Sequence, residues 1–220
     1  MRKDYITAEQ PMDNETEFVE KYWTSVWERE GGPQGQLERI PRKDEYRAMV
    51  PYIAQLSKGA RILDGGCGLG DWTLYFARQG FSVAGLDLSR QTVEQLNARF
   101  PEAEFFDGDI RCTNFADASF DAYFSWGVFE HFESGLQDCI REAFRIIKPD
   151  GLLFISVPFD NFRHAVLGTF ERRKRVDNRL RFYQWRLTKA ELARELEIGG
   201  FEVLGYGRPL LGICVGMQLS

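Results

Sequence analysis

The 220-residue sequence has little cysteine, little histidine and no long apolar run. Its four cysteines are scattered, and none pairs with a cysteine or histidine at a spacing typical of metal ligands, so we expect free thiols and no metal site. No stretch approaches the roughly 18 apolar residues of a membrane span, and the polar N-terminus lacks the apolar core of an export signal. We therefore expect a cytoplasmic protein without stable membrane insertion.

The chain also has no excess of positive charge. Its 28 Lys and Arg residues face 33 Asp and Glu residues, which gives a formal net charge of −5 at pH 7. A protein with this charge lacks the overall positive electrostatic field that nucleic-acid binding usually needs, so we expect no nucleic-acid partner. Hydrophobic residues make up 44% and aromatic residues 14% of the chain, which is enough for a sizeable core with rings left over to line a pocket.

The first quarter of the chain has helical periodicity. Residues 18–27 carry adjacent apolar pairs every four positions, which predicts a helix that ends at Gly31–Pro33. Residues 46–53 repeat the pattern and predict a second helix. We expect residues 1–57 to form a helical segment that packs on the core, where the stripe of tyrosine and tryptophan is either core or one wall of a site.

From residue 58 to residue 220, short apolar runs alternate with helical patterns. This alternation predicts an open, mainly parallel α/β sheet with helices on both faces. Two helices are expected to begin at capping boxes, Ser134 with Gln137 and Thr188 with Glu191. The predicted strands cover residues 61–64, 82–87, 103–106, 120–124, 152–157 and 201–206.

The most informative stretch is Ile62–Gly70, which reads Ile-Leu-Asp-Gly-Gly-Cys-Gly-Leu-Gly. A strand runs there into a glycine-rich turn and a helix, so backbone N–H groups face whatever lies above the strand. The spacing departs from the dinucleotide fingerprint, because Asp71 stands where its third glycine belongs. Asp64 precedes the glycines, and its charge disfavours a pyrophosphate and favours a cationic, amine-bearing ligand.

This D-x-G-x-G-x-G pattern resembles the class I S-adenosylmethionine-dependent methyltransferases. Four later segments resemble further motifs of that family in the same order: Gly85–Ser89, Phe106–Ile110, Ser119–His131 and Ile146–Leu153. The resemblance implies a Rossmann-like, doubly wound sheet of seven strands, with a methyltransferase domain over residues 58–220 after the segment 1–57. It also implies S-adenosylmethionine as cofactor and a small-molecule acceptor, in a monomer or a homodimer.

The resemblance assigns the cofactor site residue by residue. Asp87, at the end of the second strand of this domain, is expected to accept the ribose hydroxyls, although it could instead cap a helix. Asp109, or its competitor Asp107, is expected to meet the adenine amino group. The full expected cofactor-binding set is Asp64, Gly66, Gly68, Gly70, Asp87, Leu88, Asp109, Ile110, Ser125 and Trp126.

His131 is the candidate catalytic residue. It follows the fourth strand of this domain, at the carboxyl edge of the sheet where ligands bind in such folds. Histidine has an ordinary pKa of about 6.5, so it can accept a proton at neutral pH. His131 is therefore either the general base of methyl transfer or a residue that orders the loop beneath the cofactor.

Residues 158–187 form a 30-residue insertion where a short loop would suffice. The insertion holds eight basic and six aromatic residues, so it is either a lid over an anionic or sugar-like acceptor or a charged segment packed on the sheet edge. We expect His164 and Tyr183 in this insertion to contact substrate, together with Tyr22 and Trp27 of the N-terminal segment.

The favoured function is methyl transfer to an oxygen or nitrogen of a small molecule, such as a sugar or a natural-product intermediate. Two alternatives stay open. The segment 127–132 resembles a loop of the cyclopropane fatty acid synthases, which would indicate a lipid-modifying relative. A module that binds S-adenosylmethionine without catalysis is the other alternative. A DNA adenine methyltransferase is excluded, because Ser125–Val128 does not match its Pro-Pro motif.

Overall fold

The centre of the fold is a seven-stranded sheet, seen in a computed structural model that describes residues 1–7, 14–160, 180–207 and 212–218. The strands of the chain are β1 (Arg2–Thr7), β2 (Arg61–Gly65), β3 (Ser82–Asp87), β4 (Glu104–Asp107), β5 (Phe120–Trp126), β6 (Ile147–Val157), β7 (Leu180–Arg186), β8 (Phe201–Tyr206) and β9 (Gly212–Gln218). The sheet has the order β4-β3-β2-β5-β6-β9-β8. Its first five strands are parallel, and β9 runs antiparallel to β6 and β8. The predicted mainly parallel sheet is confirmed.

Helices cover both faces of this sheet. They are α1 (Glu15–Arg29), α2 (Asp44–Ile53), α3 (Asp71–Arg78), α4 (Arg90–Arg99), α5 (Gln137–Ile146) and α6 (Lys189–Ile198), with short 3-10 helices at Leu37–Arg42 and Phe129–His131. Neighbouring residues of a strand point to opposite faces. Leu63 accordingly packs with α5 and α6, whereas Ile62 packs with α2 and α3. Each central strand therefore contributes to two apolar layers, as a doubly wound fold requires.

The helix α1 matches the stripe of paired apolar residues in the sequence. The side chain of Asn14 caps its start by accepting hydrogen bonds from the N–H groups of Thr16 and Glu17. Its end coincides with Gly31 and Gly32, whose φ angles of 88° and 68° suit glycine. The predicted stop at Gly31–Pro33 is confirmed.

One of the two predicted capping boxes is wrong. The Thr188 side chain accepts from the Glu191 N–H and the Glu191 side chain accepts from the Thr188 N–H, so that box is confirmed. The helix α5, however, begins at Gln137 after an N-cap residue without a side-chain hydrogen bond. Gly135, at φ 100°, turns the chain between Ser134 and the helix, and this turn moves the serine away from the capping position.

The N-terminal strand pairs with a segment far along the chain, which local patterns do not reveal. The strand β1 pairs antiparallel with β7, so residues 2–7 are a strand within a segment that the sequence predicts to be helical. A buried ion pair locks the two strands, with Arg186 Nε 3.0 Å from both carboxylate oxygens of Asp4. Part of the predicted insertion is thus a strand. His164 and the other residues at 161–179 lie outside the described residues.

No helix within the described ranges is long and apolar enough to cross a membrane.

Candidate active site

A cleft opens where β2, β3, β4 and β5 end, and α1 covers it. On the sheet side it is lined by Gly66, Asp87, Leu88, Asp109, Ile110, Trp126 and His131, and on the α1 side by Val19, Glu20, Trp23 and Trp27. Ligands bind at the carboxyl ends of strands in open α/β sheets. The cleft is therefore the candidate site of this fold.

The cleft brings together eight of the residues that the sequence nominates. They are Trp27, Gly66, Asp87, Leu88, Asp109, Ile110, Trp126 and His131. Other nominated residues do not line it, namely Tyr22, Asp64, Gly68, Gly70, Ser125 and Tyr183. Trp23 belongs to the aromatic stripe that the sequence leaves as either core or one wall of a site, and it lines the cleft, whereas no sequence pattern pointed to Glu20.

The glycine loop after β2 is closely packed. Gly66 adopts φ 78°, and its N–H donates to the Leu86 carbonyl at 2.7 Å. A Cβ added at Gly66 would lie 2.3 Å from a methyl group of Val128. At Gly68 it would lie 2.8 Å from the Trp27 ring. Glycine is needed at both positions, because any side chain would displace the wall of the cleft.

Asp87 ends β3 with its carboxylate turned toward the glycine loop. Its two oxygens accept hydrogen bonds from the Gly68 N–H at 2.8 Å and from the Ser89 N–H at 2.9 Å. Burial raises the pKa of Asp87, and these two hydrogen bonds oppose the rise. The cap of α4 is Ser89, whose side chain accepts from the Thr92 N–H. Asp87 therefore does not cap that helix, and its remaining lone pairs can accept hydroxyl groups at the cleft.

Asp109 lines the cleft, whereas its competitor Asp107 is exposed and does not. The carboxylate of Asp109 is held by Arg111, whose Nη2 lies 2.7 Å from Oδ2. The geometry thus favours Asp109 for contact with a ligand at this end of the cleft.

Asp64 supports the loop from below. It is 2% exposed, and its Oδ2 accepts a hydrogen bond from Thr73 Oγ1 at 2.7 Å. Burial raises its pKa to about 7, against the opposing hydrogen bond from Thr73, and the charge of Asp87 adds to the rise. Asp64 therefore ties the first turn of α3 to the end of β2.

His131 lines the cleft in its neutral form. Its Nδ1 lies 2.7 Å from the Tyr183 carbonyl oxygen. Because a carbonyl oxygen only accepts, Nδ1 carries the proton and Nε2 of the neutral ring carries the lone pair. Burial lowers the pKa of His131, although the carbonyls of Tyr183 and Gly127 oppose this. The neutral ring has one basic nitrogen, as a general base requires.

Aromatic rings connect α1 to His131. Trp23 lies 5.1 Å from His131 and 5.2 Å from Trp27, measured between ring centroids. Tyr183 lies 5.1 Å from His131 and 5.6 Å from Tyr22. Tyr22 and Tyr183 therefore support the wall of the cleft from behind, while Trp23 and Trp27 face it.

Glu130, beside the candidate base, is a buried carboxyl group. It is 2% exposed, and its Oε2 has no hydrogen-bond partner among the described residues. Burial raises its pKa to about 8 from an ordinary value of 4.5, and a hydrogen bond with its own backbone opposes the rise. The folded protein therefore holds this group protonated at neutral pH.

This burial predicts a pH dependence of stability. The unfolded chain ionises Glu130 above about pH 4.5, whereas the folded chain keeps the proton up to about pH 8. The free energy of unfolding therefore falls as the pH rises between those values. Glutamine cannot ionise, so the free energy of unfolding of Glu130→Gln should rise relative to that of the wild type by several kcal/mol across this window, since one pKa unit corresponds to about 1.4 kcal/mol. Urea unfolding at intervals of pH measures the difference. The exposed Glu102→Gln is the control, and a Glu130→Gln difference that does not vary with pH would contradict the prediction.

Known proteins show which family the chain resembles. A family model described as "Methyltransferase domain" matches residues 62–151, the span from β2 into the start of β6. A probable S-adenosylmethionine-dependent methyltransferase of Mycolicibacterium smegmatis is 31% identical over 179 residues, which cover 80% of this chain and 63% of that protein. The chain belongs to the S-adenosylmethionine-dependent methyltransferases. The predicted family and its cofactor, S-adenosylmethionine, are confirmed.

Two further relatives show how far this similarity extends. A demethylmenaquinone methyltransferase of Renibacterium salmoninarum is 33% identical over 57% of this chain and 51% of its own length. The crystal structure of the Burkholderia thailandensis 1,6-didemethyltoxoflavin-N1-methyltransferase is 20% identical, covers 100% of this chain and 96% of that chain, and has a TM-score of 0.70. This last likeness confirms the methyltransferase fold. The chain spans less than two thirds of the length of the Mycolicibacterium and Renibacterium relatives.

Proposed function

We propose that this protein transfers the methyl group of S-adenosylmethionine to an oxygen or nitrogen atom of a small molecule. The observation that carries the proposal is that two acidic residues, Asp87 and Asp109, line the same cleft as the neutral imidazole of His131. When bound, the cofactor supplies an electrophilic methyl group on a sulfonium sulfur.

The residues of the cleft fit this cofactor by their chemistry. The acidic groups that line it are Glu20, Asp87 and Asp109, and no Lys or Arg lines it among the described residues. That charge suits a ligand with a sulfonium and an ammonium group. Asp87 would hold the ribose hydroxyls and Asp109 the adenine amino group. The loop at Gly66 and Gly68 would let the ligand approach the backbone closely.

The protein's own contribution to chemistry is alignment and proton removal. Displacement at a methyl carbon needs the acceptor atom in line with the bond that breaks, and positioning of this kind supplies much of such catalysis. In the proposal, Trp23 and Trp27 position the acceptor, and Nε2 of His131 takes its proton. Tyr183, through its backbone carbonyl, holds the required tautomer.

The acceptor is proposed to be uncharged or cationic at the part that enters the cleft. A carboxylate or phosphate would meet the acidic lining described above without a cationic partner among the described residues. Six of the eight basic residues that led us to expect an anionic acceptor, Arg172 and Arg173 among them, lie outside the described residues, and the other two, Arg181 and Arg186, lie in β7 and do not line the cleft. The relatives' names give different acceptors, malonyl-[acyl-carrier protein] and demethylmenaquinone among them, so their substrates are not transferred to this chain.

Titration calorimetry with S-adenosylhomocysteine and with NAD tests the cofactor. We expect binding of the first and not of the second. Methyl transfer from labelled S-adenosylmethionine to a library of small hydroxyl and amine compounds, with quinols and fatty acyl chains included, tests the acceptor. Micromolar binding of NAD without any response to S-adenosylhomocysteine would refute the proposal, and labelling of acyl chains alone would support the lipid-modifying alternative.

We expect His131→Asn to lower kcat by about 100-fold or more, because a general base contributes about 10²–10⁴-fold. The asparagine amide can still donate to the Tyr183 carbonyl, but it has no basic nitrogen. Affinity for S-adenosylhomocysteine should stay within about twofold of the wild type, since His131 is assigned to the acceptor. Unchanged kcat would assign His131 to loop support only.

A further inference from the structure

Arg111 joins three parts of the site through one guanidinium group. Its Nε lies 3.0 Å and 3.1 Å from the two carboxylate oxygens of Asp109. Its Nη1 donates to Glu15 Oε2 at 2.9 Å, and its Nη2 donates to Thr16 Oγ1 at 2.8 Å. The guanidinium carbon also lies 4.1 Å from the centroid of Phe132, another lining residue.

The groups that Arg111 joins, which we call the Arg111 junction, lie in different parts of the fold. Asp109 lies after β4 and lines the cleft, whereas Glu15 and Thr16 begin α1 and do not line it. Farther along α1, Glu20, Trp23 and Trp27 do line the cleft. The first turn of the covering helix is thus attached, through Arg111, to an acidic residue that lines the cleft.

A second link reaches α1 from the other acid of the cleft. Thr24 Oγ1 lies 2.6 Å from Ser89 Oγ, and the Ser89 N–H donates to Asp87. The helix is therefore fixed to both carboxylates, at its start through Arg111 and near its middle through Ser89. Side chains that form such networks move together, because one geometry satisfies all of their hydrogen bonds.

We propose that Arg111 is a positioning residue that couples occupation of the Asp109 end of the cleft to the placement of α1. The inference rests on the proposed function, which puts the nucleoside of the cofactor against Asp109. A bound nucleoside excludes water from the Arg111 junction and so lowers the local dielectric constant. The hydrogen bonds between Asp109, Arg111 and Glu15 become stronger as a result. Because coupling is reciprocal, fixing α1 raises cofactor affinity by the same factor. The cofactor in this way places Trp23 before the acceptor arrives.

Glu15→Gln tests the coupling without altering a residue of the cleft. The amide removes the charge that Arg111 contacts, yet it keeps an oxygen for the Glu133 N–H, which Glu15 also accepts. The matched control is Glu17→Gln. Glu17 lies in the same turn of α1 and pairs with Lys21 at 2.6 Å on the exposed side, so this change removes the same charge from the helix without touching Arg111.

The measurements are hydrogen exchange of the amides in residues 15–29 with and without S-adenosylhomocysteine, and its dissociation constant by calorimetry. In the wild type and in Glu17→Gln we expect the ligand to slow exchange by about tenfold or more, within the usual range of coupling. In Glu15→Gln the slowing should fall below about threefold, and the dissociation constant should rise about three- to tenfold. Arg111→Met should reproduce both effects.

The outcomes separate two kinds of failure. If the wild type binds S-adenosylhomocysteine and Glu15→Gln behaves like the wild type, Arg111 does not couple the sites and only this inference is wrong. Equal losses in Glu15→Gln and Glu17→Gln would assign the effect to helix charge and would overturn it as well. A wild type that does not bind S-adenosylhomocysteine would contradict the proposed function itself, and the inference with it.

Discussion

Replacing Asp87 with asparagine is expected to weaken the binding of S-adenosylhomocysteine by at least about tenfold, since a hydrogen bond to a charged group contributes about 1.5–3 kcal/mol. It should also lower the free energy of unfolding by about 1–3 kcal/mol, because a buried donor is left unsatisfied. From the sequence alone, a change at Asp87 is predicted to weaken binding with little change in stability. The stability loss follows from the structure, where both carboxylate oxygens accept backbone N–H groups and an amide nitrogen would face one of them.

The matched control for this change is Asp121→Asn, away from the cleft. Asp121 likewise accepts a backbone hydrogen bond, from the Arg61 N–H at 2.8 Å, and it also pairs with Lys148. We expect it to lose stability and to keep its affinity for S-adenosylhomocysteine. Calorimetry and urea unfolding on both variants separate the effects. Equal affinity in Asp87→Asn and the wild type would move the ribose contact to another residue.

Gly66→Ala is expected to have the second large effect. Alanine at φ 78° costs about 1–2 kcal/mol in the left-handed region. Its Cβ would also lie 2.3 Å from a Val128 methyl group, and overpacking of this kind adds about 1–3 kcal/mol. Because both residues line the cleft, displacement of Val128 should also reduce affinity for S-adenosylhomocysteine by more than about tenfold.

Gly59→Ala separates backbone strain from the clash. Gly59 has φ 77°, and a Cβ there would meet nothing within 4 Å among the described residues. It should lose about 1–2 kcal/mol of stability and bind S-adenosylhomocysteine normally. Adding Val128→Ala to Gly66→Ala should recover the part of the loss caused by the clash. A Gly66→Ala variant no less stable than Gly59→Ala would show that the loop absorbs the extra methyl group.

Six of the ten residues that the family resemblance assigns to the cofactor line the cleft. Gly66, Asp87 and Asp109 each follow or end a parallel strand, and parallel strands deliver their carboxyl ends to one edge. Asp64 shows the limit of this reasoning. It belongs to the same motif, but it lies beneath the loop and bonds to Thr73, which only the packing of α3 against β2 determines.

The sequence by itself determined the alternation of strands and helices, the glycine turn and the order of the acidic residues. These depend on neighbours within a few positions, because apolar periodicity and turn chemistry are local. The tertiary structure alone decided that β1 pairs with β7, that α1 covers the cleft and that the Tyr183 carbonyl sets the tautomer of His131. These contacts join residues far apart in the chain, so their partners are chosen by packing and burial in the folded core, which no local pattern encodes.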